Sequence, residues 1–324
     1  MHTIVHTMAM STPGTWAPVD PLGEALHFLR MNGVFYTRSE FTAPWGLELP
    51  RFERCLMFHL MTSGHGFLEL NSGATYSLHP GDFALVPHGV GHRLMSETGA
   101  TCGQLFDLPR EAVSPRYEIL RHGGGLAPAT MICGAVRFDH PAAQKFIQLL
   151  PPIIHLEATR SSYGEAMSDT LRLMAGEARS LRPGGETIIT RLADILVIQA
   201  IRAWLEHDPV AQTGWLGALR DRQIGRAIML IQRDPARDWS VASLASAVGM
   251  SRSGFAARFT EMVGVSVMQY VVEWRMNCAL SDLKDQDVSV ATVATRYGYQ
   301  SEAAFSRTFK RVIGVTPGSV AKPR

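Results

Sequence analysis

The chain has 324 residues, 46% of them apolar and 19% charged, with a formal net charge of +2. That length suits about two domains, and the apolar share is that of a globular chain rather than a disordered one. No apolar run reaches the roughly eighteen residues of a membrane-spanning helix, and Met1 to Trp16 lack the basic and apolar blocks of a secretory leader. Residues 1–20 read as a disordered start. Four cysteines (Cys55, Cys102, Cys133 and Cys278) without a CxxC pair fit a reduced, cytoplasmic setting.

Charge and histidine divide the chain unevenly. From Trp215 onward there are 15 Lys and Arg against 9 Asp and Glu, whereas residues 1–214 hold 16 against 20. A basic half beside an acidic half suggests that one part meets a polyanion and the other does not. All twelve histidines precede residue 214, and His59, His65, His79, His88 and His92 crowd one window.

In chain order, residues 51–106 alternate short apolar runs with turn signals. Arg54 to Met61, Phe67 to Leu70, Thr75 to Leu78 and Phe83 to Val86 are separated by Thr-Ser-Gly, Asn-Ser-Gly and Pro-Gly-Asp. Strands at this spacing predict a sandwich or barrel. The stretch Gly81-Asp-Phe-Ala-Leu-Val-Pro87-His-Gly89-Val-Gly-His92 resembles the second cupin motif, with Ser96 where that motif has a later Asn. The resemblance implies a cupin barrel in residues 21–140, closed by a strand through Cys133-Gly134. Pro87 and Gly89 would form a tight connection that returns His92 to the interior.

A cupin metal site takes three His and one Glu, a set that completes a divalent shell. Here Phe67 stands at i+2 from His65, which breaks the expected pair. His65, Phe67 and Glu69 share a face by strand parity, and His92 can approach them. The favoured reading is an effector pocket or packed core containing His59, His65, Glu69 and His92, with no metal and no cofactor. Cys55 and Cys133 lie in apolar strand contexts and read as inert burial rather than redox sensors.

From Pro141 the pattern turns helical, with Lys145 to Leu150, Glu165 to Ser180 and Gly185 to Glu206. The third segment carries an apolar stripe (Ile188, Ile189, Leu192, Ile195, Leu196, Ile198, Ile201, Leu205) wider than one buried face needs. Asp208 to Gly214 reads as a linker, and Leu219 to Gln232 as the first helix of the basic domain.

An internal repeat fills the last hundred residues. Ser240-Val-Ala-Ser-Leu-Ala-Ser-Ala-Val-Gly249 matches Ser289-Val-Ala-Thr-Val-Ala-Thr-Arg-Tyr-Gly298, and Phe255, Phe259 and Gly264 match Phe305, Phe309 and Gly314 after one inserted residue. Each copy predicts helix, tight turn, helix. Ser240, Ser251, Ser289 and Ser301 stand at N-cap positions, and Gly249 and Gly298 sit at the turns. A long helix from Val267 to Leu283 joins the copies.

Residues 215–324 resemble the DNA-binding domain of AraC/XylS-type transcription regulators. The resemblance rests on Gly298-Tyr-Gln-Ser301, Phe305-Ser-Arg307-Thr-Phe309-Lys-Arg311 and Gly314-Val-Thr-Pro317; Val320 and Ala321 stand where the family usually has Tyr-Arg. It implies recognition helices whose outer faces meet DNA. In the first copy these faces offer Arg252, Ser253, Ala256, Ala257 and Arg258, and in the second Ser301, Glu302, Ala303, Ser306, Arg307, Lys310 and Arg311. Arg is suited to guanine edges or phosphate, and Glu to cytosine N4. The family also implies that residues 141–214 dimerise the chain.

The sequence thus describes an α+β protein, with an N-terminal cupin β-barrel and accessory helices followed by an all-α tandem helix-turn-helix domain. Its expected role is a non-enzymatic, effector-responsive regulator, an activator by the family's commoner habit. Its expected partners are double-stranded DNA, RNA polymerase, a small-molecule effector of unknown identity and a second copy of itself, with no membrane. The alternatives are a cupin metalloenzyme joined to a DNA-targeting module and a thiol-based redox regulator.

Overall fold

The computed structural model describes residues 31–138, 140, 143–158, 164–180, 182–212, 214–285 and 288–321. The disordered start expected for residues 1–20 lies outside them. The described residues contain twelve strands, all but the last ahead of the first α-helix: β1 (Met31–Thr42), β2 (Gly46–Leu49), β3 (Cys55–Ser63), β4 (Gly66–Leu70), β5 (Thr75–Leu78), β6 (Phe83–Val86), β7 (His92–Met95), β8 (Gly103–Gln104), β9 (Arg110–Ser114), β10 (Tyr117–Gly123), β11 (Pro128–Phe138) and β12 (Ile154–Leu156). They form a seven-stranded sheet in the order β12-β6-β3-β11-β1-β10-β9, and a five-stranded sheet in the order β5-β4-β7-β2-β8.

Strand β3 shows how two layers arise from one apolar run, because successive side chains leave opposite faces. Cys55, Met57 and Met61 enter the core between the sheets with Leu68, Leu94 and Met131. Leu56, Phe58 and Leu60 enter a second core, on the helix-covered side of the larger sheet. A strand buried on both faces needs no polar alternation, as its sequence CLMFHLMTS reflects. Strand β11, which contains Cys133-Gly134, lies between β1 and β3.

Three helices supply the covering layer: α1 (Ala143–Gln148), α2 (Gly164–Ser180) and α3 (Gly185–His207). Ile189, Leu196, Val197, Ala200 and Ile201 of α3 are buried against Phe58, Phe83 and Met174. Ile188 and Ile195, on the same broad stripe, are 44% exposed. One part of the stripe is therefore core and another faces outward.

The basic half contains α4 (Gly214–Arg220), α5 (Ile224–Arg233), α6 (Val241–Ala247), α7 (Arg252–Val263), α8 (Val267–Asp285), α9 (Val290–Arg296) and α10 (Glu302–Ile313). The single helix expected over Leu219 to Gln232 is two helices. The Asp221 carboxylate accepts from the backbone N–H of Gln223 at 3.0 Å and of Ile224 at 2.9 Å, which starts a new helix at that point. The modules have separate cores: Phe255 and Phe259 pack with Leu244, Ile228 and Trp274, and Phe305 and Phe309 with Val293, Tyr297 and Leu283.

The halves meet through Trp215, edge-on to Phe146 at 6.1 Å, and through Trp274, stacked on His140 at 5.2 Å. Arg220 Nη1 also donates to the Leu205 carbonyl at 2.9 Å.

Candidate nucleic-acid interface

Both hairpins close in the same way. Ser240 Oγ accepts from Ser243 N–H and Ser251 Oγ from Gly254 N–H; Ser289 and Ser301 repeat this with Thr292 and Ala304. In the turns, Met250 N–H donates back to Ala245 at 2.9 Å, and Tyr299 N–H to Ala294 at 2.9 Å. Gly249 and Gly298 hold φ of 69° and 81°, a left-handed geometry that side chains with a Cβ resist.

The phenylalanine pairs orient the recognition helices. Phe255, Phe259, Phe305 and Phe309 are fully buried, so the opposite faces turn to solvent. On α7 these faces expose Arg252, Ser253, Ala257 and Arg258, with Ala256 half-buried. On α10 they expose Glu302, Ala303, Arg307, Lys310 and Arg311, with Ser306 half-buried. Ser301 is also exposed, but its hydroxyl is engaged in capping α10.

Ion pairing separates two arginines that look alike in sequence. Arg258 is paired with Asp221, whose other oxygen caps α5. Arg307 makes no ion pair or hydrogen bond among the described residues. In the second module the comparable carboxylate, Asp282 on α8, holds Arg296 at 2.6 Å and accepts from Tyr297 Oη at 3.0 Å. It therefore braces the supporting helix α9 and leaves α10 free. Sequence reasoning missed Asp221, and also Gln223, whose Nε2 donates to the Val248 carbonyl at 3.1 Å beside the first turn. The one available signal was an Asp two residues before a Gln inside a seemingly continuous helix.

Helix α8 carries both modules and contains 19 residues. At 1.5 Å per residue it is about 28 Å long, close to the roughly 34 Å between successive major-groove faces on one side of B-DNA.

In the barrel, the structure brings His59 and His92 together and sets His65 and Glu69 apart from them. His59 Nε2 and His92 Nε2 are 2.7 Å apart in the core between the sheets. His92 Nδ1 lies 3.2 Å from the Val90 carbonyl and so carries a proton, leaving its Nε2 to accept from His59 Nε2–H. Burial holds both rings neutral, pushing His92 down to about 4 and His59 well below its usual range, where the neighbouring His92 adds to the effect. Gly89 permits the approach to His92, since a Cβ there would lie 2.0 Å from the Phe52 carbonyl oxygen.

His92 is paired across the sheet with Leu70, which faces inward, whereas Glu69 is paired with Arg93 on the outer face and bonded to it at 3.3 Å. His65 lies in the turn before β4, beside a small cleft with Trp45 and Glu97. Two imidazoles do not make the three-His, one-Glu set of a cupin metal centre, and among the described residues no group of three or more potential ligands converges. Burial raises the thiol pKa of Cys55 and Cys102, and that of Cys133 to about 12, which disfavours the reactive thiolate. Among the described residues no helix is long and apolar enough to cross a membrane.

Comparison with known proteins agrees with this architecture. A cupin family model matches residues 20–206 and a helix-turn-helix domain model matches residues 244–322. A putative AraC-like transcription regulator of Streptomyces lividans is 37% identical over 315 residues, 94% of this chain and 98% of that one. The HTH-type transcriptional regulator AlkR of Acinetobacter baylyi is 27% identical over 306 residues, 92% of this chain and 98% of that one. Among solved structures, the DNA-binding domain of AdpA in complex with a target DNA is 28% identical, covering 31% of this chain and 88% of that one with a TM-score of 0.29. The chain belongs to the AraC-like transcription regulators and is a DNA-binding regulator built from a cupin domain and a helix-turn-helix domain.

Proposed function

We infer that the protein is a sequence-specific, effector-responsive regulator whose two recognition helices enter successive major grooves on one face of a duplex. The observation that carries this reading is the pair of separately cored, serine-capped hairpins, held by one long helix with unpaired cations on their outer faces. Arg252 and Arg307 suit guanine edges or phosphate, Glu302 suits cytosine N4, and Ala256 and Ala257 suit thymine methyl groups. Lys310 suits phosphate. The role is regulatory rather than enzymatic, and it is exercised in the cytoplasm, where the DNA and RNA polymerase are met. Activation, by contact with polymerase, is the favoured sign.

The working unit is a homodimer. Leu173 of α2 is 62% exposed, and it neighbours Ile188 and Leu192 along a groove between α2 and α3. A cluster of this kind favours a second apolar surface over water. An effector that binds one arrangement of the two DNA-binding halves better than another changes their occupancy of DNA.

Footprinting of the full chain on its own upstream DNA tests the reading. Two protected segments one helical turn apart are expected for each protomer. A single short patch excludes the two-groove arrangement.

A further inference from the structure

We propose that Trp215 is a positioning residue that couples the cupin half to the first recognition helix, α7, through a chain of edge-on aromatic rings that the second recognition helix lacks. Its regulatory meaning rests on the effector-responsive reading above, whereas the contacts themselves stand apart from it.

The chain starts in the barrel. Phe138, the last residue of β11, meets Phe146 of α1 at 6.1 Å between ring centroids and 90° between planes. Phe146 meets Trp215 of α4 at 6.1 Å and 70°. The Trp215 indole N–H donates to Tyr270 Oη on α8. Tyr270 lies edge-on to Phe259 of α7 at 5.7 Å, and Phe259 is 5.7 Å from Phe255. Phe255 and Phe259 are the residues that orient α7, so an unbroken run of contacts joins a barrel strand to a helix that faces DNA.

Trp215 owes this place to a short helix with divided loyalties. Leu216 of α4 is buried in the cupin core, Ala218 and Leu219 are buried in the core of the first module, and Trp215 packs against both. An indole suits the position because it combines a large apolar face with one polar atom, which needs a partner when covered. Tyr270 Oη is that partner, and it also accepts from the buried Gln232 Nε2 at 3.1 Å.

A second route runs along the backbone. Asp221 N–H donates to the Gly217 carbonyl at 3.2 Å, continuing α4, and the Asp221 carboxylate pairs with Arg258 on the outer flank of α7. Helix α7 is thus held on its inner face by Phe259 and on its flank by Arg258, with α4 behind both. The second module has neither connection. Its core draws only on residues from Val272 onward, and among the described residues Phe305 and Phe309 have ring contacts only with Tyr299 and each other. Trp274, stacked on His140 of the cupin half, also belongs to the first core.

Close-packed rings pass on a displacement because the interior has no slack to absorb it. A shift of α1 against β11 therefore changes where Trp215 holds Tyr270 and, through Phe259, the tilt of α7, while α10 keeps its place on its own core. A signal in the cupin half then acts on one half of the DNA site rather than on both alike.

Amide hydrogen exchange of the full chain without DNA tests the link. Phe146→Leu is the first probe, since it lies in the cupin half and keeps an apolar side chain. Exchange in α7 should rise about two- to tenfold, as for the loss of one edge-on aromatic contact, with α10 unchanged. Trp215→Phe keeps a ring without the N–H, and Tyr270→Phe keeps a ring without the hydroxyl. Each should give an α7-selective rise, and their combination should add little more, because both break the same hydrogen bond. Footprinting of Phe146→Leu on the upstream DNA should weaken the segment lost in Phe255→Ala about two- to tenfold and spare the other. Exchange in α7 unchanged in all three single variants, or raised equally in α7 and α10, overturns the coupling. An α7-selective rise with an unaltered footprint supports the link and overturns its part in DNA reading. If the unsubstituted chain protects no DNA, the two-groove reading fails, and the exchange result alone still decides the link.

Discussion

The two hairpins share caps, turn hydrogen bonds and buried phenylalanines, yet they face outward with opposite charge patterns. Aligned on Phe255 and Phe305, the first helix presents Arg252, Ala257, Thr260 and Glu261 where the second presents Glu302, Arg307, Lys310 and Arg311. Cationic charge leads in α7 and trails in α10. The positions that build the scaffold are duplicated and those that meet solvent are not, which separates the requirements of folding from those of recognition. Copies that must read different bases need the same core and different surfaces.

The largest test breaks the scaffold on each side in turn. Phe255→Ala and Phe305→Ala each remove a fully buried ring and should cost about 3–5 kcal/mol, measured by chemical denaturation. Because the cores are separate, each substitution should erase one of the two protected DNA segments and weaken the other less. Simultaneous loss of both segments from either change would show that the modules fold as one unit.

The next largest effects concern the surfaces. Arg307→Ala should cost about 1–3 kcal/mol of DNA affinity and relax discrimination at one base position. Arg252→Ala should act at a different position, in the half-site read by α7. Equal losses on every sequence would assign both arginines to phosphate.

Smaller still are the caps. Ser240→Ala and Ser289→Ala should each destabilise their module by about 1 kcal/mol, by thermal or chemical unfolding. Ser243→Ala tests the other half of the first capping box, since Ser243 Oγ accepts from the Ser240 backbone N–H at 2.9 Å, and should cost roughly 0.5–1 kcal/mol. No loss in Ser243→Ala would mean that the reciprocal bond adds nothing.

The sequence was most legible where geometry is local. N-cap serines, turn glycines and i,i+4 phenylalanines specify a hairpin within about 25 residues, so α6, α7, α9 and α10 could be read residue by residue. Strands β3 to β6 were legible for the same reason, each being bounded by a turn signal. The barrel interior was harder. Parity put His65, Phe67 and Glu69 on one face; His65 lies in the turn before β4, and the cross-strand pairing of His92 with Leu70 shows that the face carrying Phe67 and Glu69 is the outer one. Pairing is non-local and register is not written in a single strand. Strand β1 escaped notice because its partners β10 and β11 lie some eighty to a hundred residues away. The break between α4 and α5 was hidden because buried apolar residues stand on both sides of it, Leu216 and Leu219 before and Ile224, Ala227, Ile228 and Ile231 after, with no Gly or Pro between Leu219 and Ile224.

That break bears on the smallest expected effect, which concerns Arg258. The arginine is about half exposed while its partner Asp221 is 11% exposed, so the pair is partly screened and contributes little to stability. Its consequence lies in recognition: a guanidinium held by a carboxylate is neutralised toward phosphate. Asp221→Asn keeps an amide oxygen to cap α5 while releasing Arg258. The expected result is DNA affinity raised a few-fold, with the slope of log K against log salt steeper by about 0.9, as for one added phosphate contact. Loss of a phosphate-bound Arg307 would flatten the slope by about the same amount. An unchanged slope in Asp221→Asn would mean that Arg258 already leaves the carboxylate when DNA arrives. The first module would then match the second in available charge, and the contrast between them would reduce to the order of charges along each helix.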